Sequence, residues 1–338
     1  MINPYPSIRF GRKSSNAASI PLMLILSLLF SLTGFHAVAQ TKWLMATEYP
    51  ASNISGVGLT TFGRLVSSYT DGFVTTTNSL DNELRISSEQ MLHAAQEHRI
   101  AGGDAFAGPM ESSDVVFGLA SLPFVVQSID SAISINSVAR PFYEAALAKR
   151  SLKLLYITVW PSTGLWSDRP INDAGDLNGL SIRTYDYNSA EVMRTLGATA
   201  EYLSFNEAID RVKSHELNAI LTSGDGGAGR KLWDYLRNFT PINYAIPISL
   251  AFVRSDEFET LPAAVQVQVL RAAADTEQLQ LKLLYTRTEA NYAQMRANGV
   301  EINASPDRGL VSALRSASKG PVARWKAKVP PALAAIID

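Results

Sequence analysis

The chain alternates short runs of β-branched residues with windows in which apolar residues recur every three or four positions. One such window, residues 57–68, places Leu59, Phe62, Leu65 and Val66 on a single helical face. Short apolar or alternating runs between these windows are typical of strands. The first half of the chain therefore predicts strands at 42–47, 73–80, 105–107 and 152–159, and helices at 57–68, 88–97 and 129–148.

The second half repeats this alternation, with clear helix-start signals. Ser204 and Glu207 form a capping box for a helix that reaches Ser214, and Asn188 with Glu191 three residues on predicts a second cap. Strands alternating with helices favour mainly parallel α/β sheets. The predicted strands are 180–184, 199–203 and 218–223, and the predicted helices are 189–196, 204–214 and 230–236.

The longest helical pattern runs over residues 261–298. Its only proline, Pro262, stands at the start, and no glycine occurs before Gly299. A helix of about 35 residues would be about 50 Å long, more than one small lobe requires. We expect it to run across two lobes. The alternative is a pair of helices with a break near Thr276.

The first 39 residues have the pattern of a cleavable secretory signal. Arg9, Arg12 and Lys13 form a basic start, residues 20–35 are a leucine-rich apolar run, and Ala37-Val38-Ala39 offers a small-x-small cleavage site. A single membrane anchor is the alternative, but the run is short and interrupted by polar residues. We therefore expect a periplasmic protein beginning near residue 40, long enough for two lobes.

Composition excludes several classes of chemistry. The 338 residues contain no cysteine, which rules out thiol catalysis, cysteine-ligated metals and disulfides. The formal net charge of −1 argues against a nucleic-acid partner. The four histidines are scattered, and neither an H-E-x-x-H nor a G-x-S-x-G motif occurs. We expect no metal and no cofactor.

A glycine run, residues 224–229, satisfies the G-x-G-x-x-G pattern between a predicted strand and a predicted helix. No acidic residue follows about 20 positions later, as a dinucleotide site requires. We therefore interpret the glycines as letting the backbone approach a small ligand or turn tightly.

Arg183, at the end of an apolar predicted strand, is the strongest candidate for a binding residue. A desolvated guanidinium needs an anionic partner, and its fork matches a carboxylate. The start of the next helix, near Ser189, would add free N–H groups beside it. An ion pair with a protein carboxylate is the structural alternative.

Other candidates surround the same region. Tyr185 follows Arg183 closely, while Phe106 and Trp166 are interpreted as further walls of a pocket, Trp166 from a loop. Thr222 and Ser223 end a predicted strand, where parallel sheets place ligands. We expect one of these hydroxyls to bind a second polar group of the ligand.

The ordered set of segments resembles the DctP-type substrate-binding proteins of tripartite ATP-independent periplasmic (TRAP) transporters over essentially the whole mature length. The matching segments are Ser121-Leu122-Pro123-Phe124, Arg169-Pro170-Ile171, Asp176-Leu177-Asn178-Gly179-Leu180-Ser181-Ile182-Arg183, Leu196-Gly197-Ala198, Phe205-Asn206-Glu207-Ala208, Leu261-Pro262 and Gly299-Val300.

The resemblance implies a two-lobed α/β binding protein braced by a long helix. In the family, the arginine at the Arg183 position grips the ligand carboxylate between the lobes, and the ligand is passed to a membrane permease. The triplet 183–185 and the segment 222–224 look like a subgroup linked with small or aromatic carboxylates. The second arginine of the sialic-acid branch is missing from 161–168, which argues against that ligand.

These patterns lead to one functional hypothesis and two rivals. The hypothesis is a non-enzymatic, monomeric receptor that captures a small organic acid for a TRAP permease. The rivals are a periplasmic hydrolase with the same pocket and a sensory subunit that docks on a membrane receptor. The predicted lobes are residues 40–158 with about 251–290, and residues 159–250 with about 291–338.

Overall fold

The computed structural model describes residues 9, 11 and 40–337. The predicted signal peptide, residues 1–39, thus lies outside the described residues apart from Arg9 and Gly11. Within this described part of the chain, no helix combines the length and the hydropathy that a membrane span needs.

The first sheet contains five strands in the order β2-β1-β3-β10-β4. Strand β1 is parallel to β2 and β3, whereas β10 is antiparallel to both β3 and β4. The strands are β1 (Thr41–Ala46), β2 (Val74–Ser79), β3 (Gly102–Phe106), β4 (Leu152–Val159) and β10 (Ile248–Arg254).

The second sheet contains six strands in the order β11-β9-β5-β8-β6-β7. Strand β5 is antiparallel to β8 and β9, and the other neighbours are parallel. The strands are β5 (Thr163–Ser167), β6 (Ser181–Thr184), β7 (Thr199–Tyr202), β8 (Ala219–Ser223), β9 (Asn238–Thr240) and β11 (Glu301–Ile302).

Two sheets agree with the predicted two-lobed α/β fold, but both are more mixed than the expected mainly parallel sheets. Each contains one strand, β10 or β5, that enters directly from the other sheet. Parallel neighbours within a sheet need a long crossover, usually helical. A strand arriving from the other sheet has no such crossover to make, and here it runs antiparallel.

The two segments that cross between the sheets are hydrogen-bonded to each other. One joins β4 to β5 and the other joins β9 to β10. The backbone N–H groups of Trp160 and Thr163 donate to the carbonyls of Pro247 and Ala245, at 2.9 Å in both cases. The N–H group of Tyr244 donates back to the Thr163 carbonyl at 3.0 Å. The lobes are therefore joined by a paired ribbon.

Helices cover both sheets. The α-helices are α1 (Ile54–Tyr69), α2 (Ser88–Gln96), α3 (Ile129–Ala148), α4 (Tyr187–Thr195), α5 (Phe205–Lys213), α6 (Gly224–Gly229), α7 (Ser255–Glu259), α8 (Ala263–Ala297), α9 (Arg308–Lys326) and α10 (Pro331–Ala334). Short 3-10 helices occupy Gly108–Ser112, Val115–Ser121, Ala174–Leu177, Leu232–Asp234 and Ala335–Ile337.

Helix α8 is one continuous helix of 35 residues, so the alternative of a break near Thr276 is wrong. Thr276 is buried within it, and its hydroxyl donates to the Ala272 carbonyl at 2.7 Å. The buried positions recur every three or four residues, from Val269 to Met295. This stripe packs on α1 and β4 of the first sheet and on α6 and β11 of the second. The helix therefore braces both layers.

Several local predictions were wrong. The predicted helix 230–236 is replaced by α6 and the 3-10 helix Leu232–Asp234. Strand β5 replaces the expected loop around Trp166. Helix α4 is capped by Asp186, whose carboxylate accepts from the Ser189 backbone N–H at 2.7 Å, and not by Asn188. Helix α9 was not predicted.

The glycine run forms α6, and its glycines allow close packing. A Cβ atom on Gly227 would lie 2.2 Å from Trp166 Cε2, and one on Gly229 would lie 2.4 Å from Asn53 Oδ1. The close approach that the sequence suggested for a small ligand is made here to two protein side chains.

We predict that Gly227→Ala lowers the free energy of unfolding by about 1–3 kcal/mol, because the added methyl group overpacks against the buried Trp166 ring. Urea denaturation measures this loss. The control is Gly320→Ala in α9, where a Cβ would meet only the end of the Arg324 side chain at 3.5 Å. It should leave stability unchanged or raise it by up to about 1 kcal/mol, because alanine has the higher helix propensity. Equal, small effects of both substitutions would contradict the packing argument.

Candidate ligand-binding site

A small cavity lies between the two sheets. The space that a solvent-sized sphere can enter is about 20 Å³, room for about one water molecule, so the walls lie close together and favour a compact ligand. Both sheets contribute to its walls. The lining residues are Tyr49, Phe106, Trp160, Thr163, Arg183, Tyr185, Phe205, Thr222, Ser223 and Pro247.

Arg183 lies on β6 with only 3% of its surface exposed. Its Nε donates to the Leu203 carbonyl at 3.0 Å, and one terminal nitrogen reaches the Leu221 carbonyl at 3.4 Å. Its guanidinium carbon lies 5.2 Å from the centre of the Phe205 ring. Two of the five N–H donors are thus occupied by backbone carbonyls, which orient the fork.

No carboxylate in the described part of the chain lies within ion-pair distance of Arg183. Burial lowers the pKa of Arg183, while the nearby Tyr49 and Glu48 raise it. The structural alternative of a protein ion pair therefore finds no support. The guanidinium is a buried cation without a protein counter-ion, which favours an anion in the cavity.

The neighbouring helix end contributes less than the sequence indicated. The Asp186 carboxylate accepts from both the backbone N–H and the hydroxyl of Ser189, at 2.7 and 2.6 Å. These donors of α4 are therefore occupied rather than free for a ligand. Burial raises the pKa of Asp186 to about 6. The attraction for an anion therefore rests mainly on Arg183.

Phe106 and Tyr185 lie together in the wall, as the sequence indicated, with ring centroids 5.4 Å apart. Two further aromatic rings, Tyr49 and Trp160, pack beside them at a tilt, with centroids 4.7 Å apart. Phe205, under the Arg183 guanidinium, completes this wall. The aromatic side of the cavity is therefore wider than the sequence predicted.

The wall residues that sequence reasoning missed differ in the signal they carry. Trp160 directly follows β4, much as Phe106 ends β3, and this position could have marked it. Phe205 opens α5 directly after its capping serine. No sequence signal distinguishes Tyr49 from an ordinary core tyrosine.

Thr222 and Ser223, at the end of β8, supply hydroxyl groups opposite the rings. The Ser223 hydroxyl oxygen accepts from the Gly226 backbone N–H at 3.1 Å, which leaves its proton available to a ligand. Thr163 lies beside Ser223 in the register between β5 and β8. The cavity thus combines one guanidinium, several rings and a small hydroxyl edge.

Trp166 is the one predicted site residue that the structure does not bring to the cavity. It is fully buried within β5, and its indole N–H donates to the Ser223 carbonyl at 3.2 Å. Its ring packs 5.3 Å from that of Phe239. Trp166 therefore supports the end of β8 from behind. The interpretation as a pocket wall assumed a loop at this position.

Polar contacts also join the two layers near the cavity. The Tyr202 hydroxyl of β7 donates to Glu89 Oε2 of α2 at 2.6 Å. The Asn188 amide of α4 donates to Glu111 Oε2 at 2.9 Å. Burial, together with the charge of Asp186, raises the pKa of Glu111 to about 7. These contacts tie the layers together in the conformation observed.

Comparisons with solved structures show the same fold. One is DctP6 of Bordetella pertussis, an extracytoplasmic solute receptor binding pyroglutamic acid, with 27% identity and a TM-score of 0.83 over 88% of this chain and 98% of that one. Another is a marine metagenome TRAP solute-binding protein with co-purified pyroglutamate, with 23% identity and a TM-score of 0.83 over 88% and 98%.

A more distant structure, a TRAP periplasmic solute-binding protein of Chromohalobacter salexigens with bound D-glucuronate, has 19% identity and a TM-score of 0.79, covering 87% of this chain and 97% of that one. A comparison with curated proteins found no match.

The model of the family described as "Bacterial extracellular solute-binding protein, family 7" matches residues 45–319, most of the chain. The match confirms the resemblance stated from the sequence and the extracytoplasmic location. It also confirms transport as the role, and nothing supports the hydrolase alternative. The chain therefore belongs to the DctP family, the solute receptors of TRAP transporters, and is a solute-binding protein and not an enzyme.

Proposed function

We propose that the protein captures a small monocarboxylate through Arg183 and passes it to a TRAP permease. The observation that carries this proposal is a buried guanidinium that faces the cavity. Among the described residues, this guanidinium has no ion-pair partner. A ligand carboxylate would accept from the remaining donors of the fork and offset the cost of the buried charge.

The cavity also limits the rest of the ligand. The narrow space and a wall made largely of aromatic rings favour a compact body with apolar faces. The hydroxyls of Thr222 and Ser223 would bind one further polar group. Pyroglutamic acid, a small cyclic amide with one carboxylate, meets these demands, and two structurally similar receptors bind it. It is the first ligand to test.

We further propose that the described conformation is the closed one. The lobes would be residues 40–158 with about 251–290, and 159–250 with about 291–338, with the leader 1–39 removed on export. Ligand contacts from both lobes exist only after closure, so binding would shift the equilibrium toward this form. The protein would act as a monomer, without a cofactor and without nucleic acid as a partner.

We predict that Arg183→Met weakens pyroglutamate binding by about 2–5 kcal/mol, which is at least about 30-fold in Kd, because the ligand carboxylate loses its charged partner. Isothermal titration calorimetry measures the loss. Without ligand, the variant should unfold at the same or a higher temperature, because a buried unpaired charge has been removed.

Arg211→Met is the matched control. Arg211 lies on α5 and pairs with Glu201 and Glu216 on the surface, so its loss should leave Kd unchanged. Unaltered affinity in Arg183→Met would refute the assignment of this arginine.

We predict that Tyr202→Phe raises the rate of pyroglutamate dissociation about tenfold, because the closed form loses a hydrogen bond to the charged Glu89. Stopped-flow fluorescence measures this rate. The control is Tyr187→Phe, since Tyr187 is 69% exposed and packs edge-on against Tyr202 at 4.8 Å. Identical rates in both variants would contradict a closing role for the Tyr202 contact.

A further inference from the structure

A chain of buried hydrogen bonds leads away from the ligand cavity at Trp160. The Trp160 indole N–H donates to the Ser249 hydroxyl oxygen at 2.8 Å. The Ser249 hydroxyl in turn lies 3.1 Å from that of Ser55, which donates to Asp104 Oδ1 at 2.6 Å. Because Ser55 has one hydroxyl proton and gives it to Asp104, Ser249 is the donor between the two serines.

A second branch reaches the same carboxylate from the long helix. Gln280 of α8 donates through its amide to the Thr158 hydroxyl oxygen at 2.8 Å. Thr158 donates its proton to Asp104 Oδ2 at 3.0 Å. Every donor in both branches therefore points toward Asp104, which accepts one bond on each oxygen.

Asp104 has no exposed surface, and the part of the chain that the structure describes offers it no cationic partner. Burial raises the pKa of Asp104 to about 6, although the hydrogen bonds that it accepts, chiefly from Ser55 and Thr158, lower it. A buried carboxylate without a counter-ion is costly. An asparagine would fill the same space, but its NH2 group cannot accept, so one of the two branches would be broken.

The first branch ends on a wall of the cavity. The centroid of the Trp160 ring lies 4.7 Å from that of Tyr49, with the two planes tilted, and 6.0 Å from that of Phe106, in an edge-on arrangement. In so small a cavity, a rotation of this indole would change the space left for a ligand. The hydrogen bond to Ser249 sets the plane of the Trp160 ring. The Ser249 hydroxyl is oriented in turn because it donates to Ser55, which donates to Asp104.

We propose that Asp104 is a positioning residue for the ligand cavity, which fixes the Trp160 indole through Ser249 and Ser55. Its second oxygen ties the same wall to the spanning helix through Thr158. The functional part of this inference rests on the proposed ligand site. The positioning of the indole does not, because it is a property of the unliganded protein.

The test is the indole region of the ¹H–¹⁵N correlation spectrum of the full chain without ligand. The five tryptophans supply one indole cross-peak each, and Trp160→Phe assigns the relevant one. Asp104→Asn should move or broaden the Trp160 peak and leave the other four in place. Ser55→Ala, a smaller change that interrupts the same branch, should do the same.

Asp225→Asn is the matched control, since Asp225 is also buried but is bonded to Arg287 and to the N-terminus of α1. It should leave the Trp160 peak unmoved. A Trp160 peak unchanged in both Asp104→Asn and Ser55→Ala, or a shift spread over all five peaks, would overturn the proposal.

Titration with pyroglutamate separates the two levels of the argument. Asp104→Asn should weaken binding about three- to tenfold. If the wild-type protein does not bind pyroglutamate, the proposed ligand fails while the indole spectrum still decides the role of Asp104. If the wild type binds and Asp104→Asn binds equally well, the inference fails and the proposed function stands.

Discussion

One buried positive charge, for which the described residues offer no ion-pair partner, organises this molecule. Arg183 is held by two backbone carbonyls and lies beside the aromatic rings that line the cavity. Such a group raises the energy of the empty protein. The cost is tolerable because the sheet around β6 and the long helix α8 supply the stability that the site itself lacks. A carboxylate that enters from solvent forms an ion pair with Arg183. The affinity for the ligand therefore arises from a buried charge that is unpaired in the free protein.

The fold places Arg183 and its cavity between two sheets. Strands β5 and β10 are exchanged between the sheets, and the crossing segments pair with each other beside the cavity. Helix α8 follows both layers on one side. Contacts such as Tyr202 with Glu89 join the two layers. In the proposed closure the crossing segments would bend and these contacts would form, so that binding and closure would be served by different residues.

Local patterns predicted what depends on local forces. Helix 129–148, strand 152–159 and the Ser204 capping box follow from periodicity and side-chain caps and agree with the structure. Arg183 could be singled out because a charge on an apolar strand is conspicuous by itself. The single long helix followed from the absence of internal glycine and proline.

What the sequence could not reveal depends on contacts between distant segments. Asp186 replaced Asn188 as a cap because either side chain can serve and only the observed backbone path decides. Trp166 was assigned to a pocket on the assumption of a loop. It lies in a strand whose partners come more than 50 residues later, and local patterns do not reveal such pairing. Likewise, nothing local to Asp104 marks it as the end of two hydrogen-bond chains, since the residues of these chains come from four separate segments.

The most direct test of the account compares pyroglutamate with its neutral carboxamide in calorimetry, for the wild-type protein and for Arg183→Met. If Arg183 recognises the anionic group, the wild type prefers the carboxylate by at least about 30-fold, in line with the loss of a buried charge pair. The variant should bind both compounds equally weakly. An undiminished preference for the carboxylate in the variant would place the anion elsewhere and contradict the central claim.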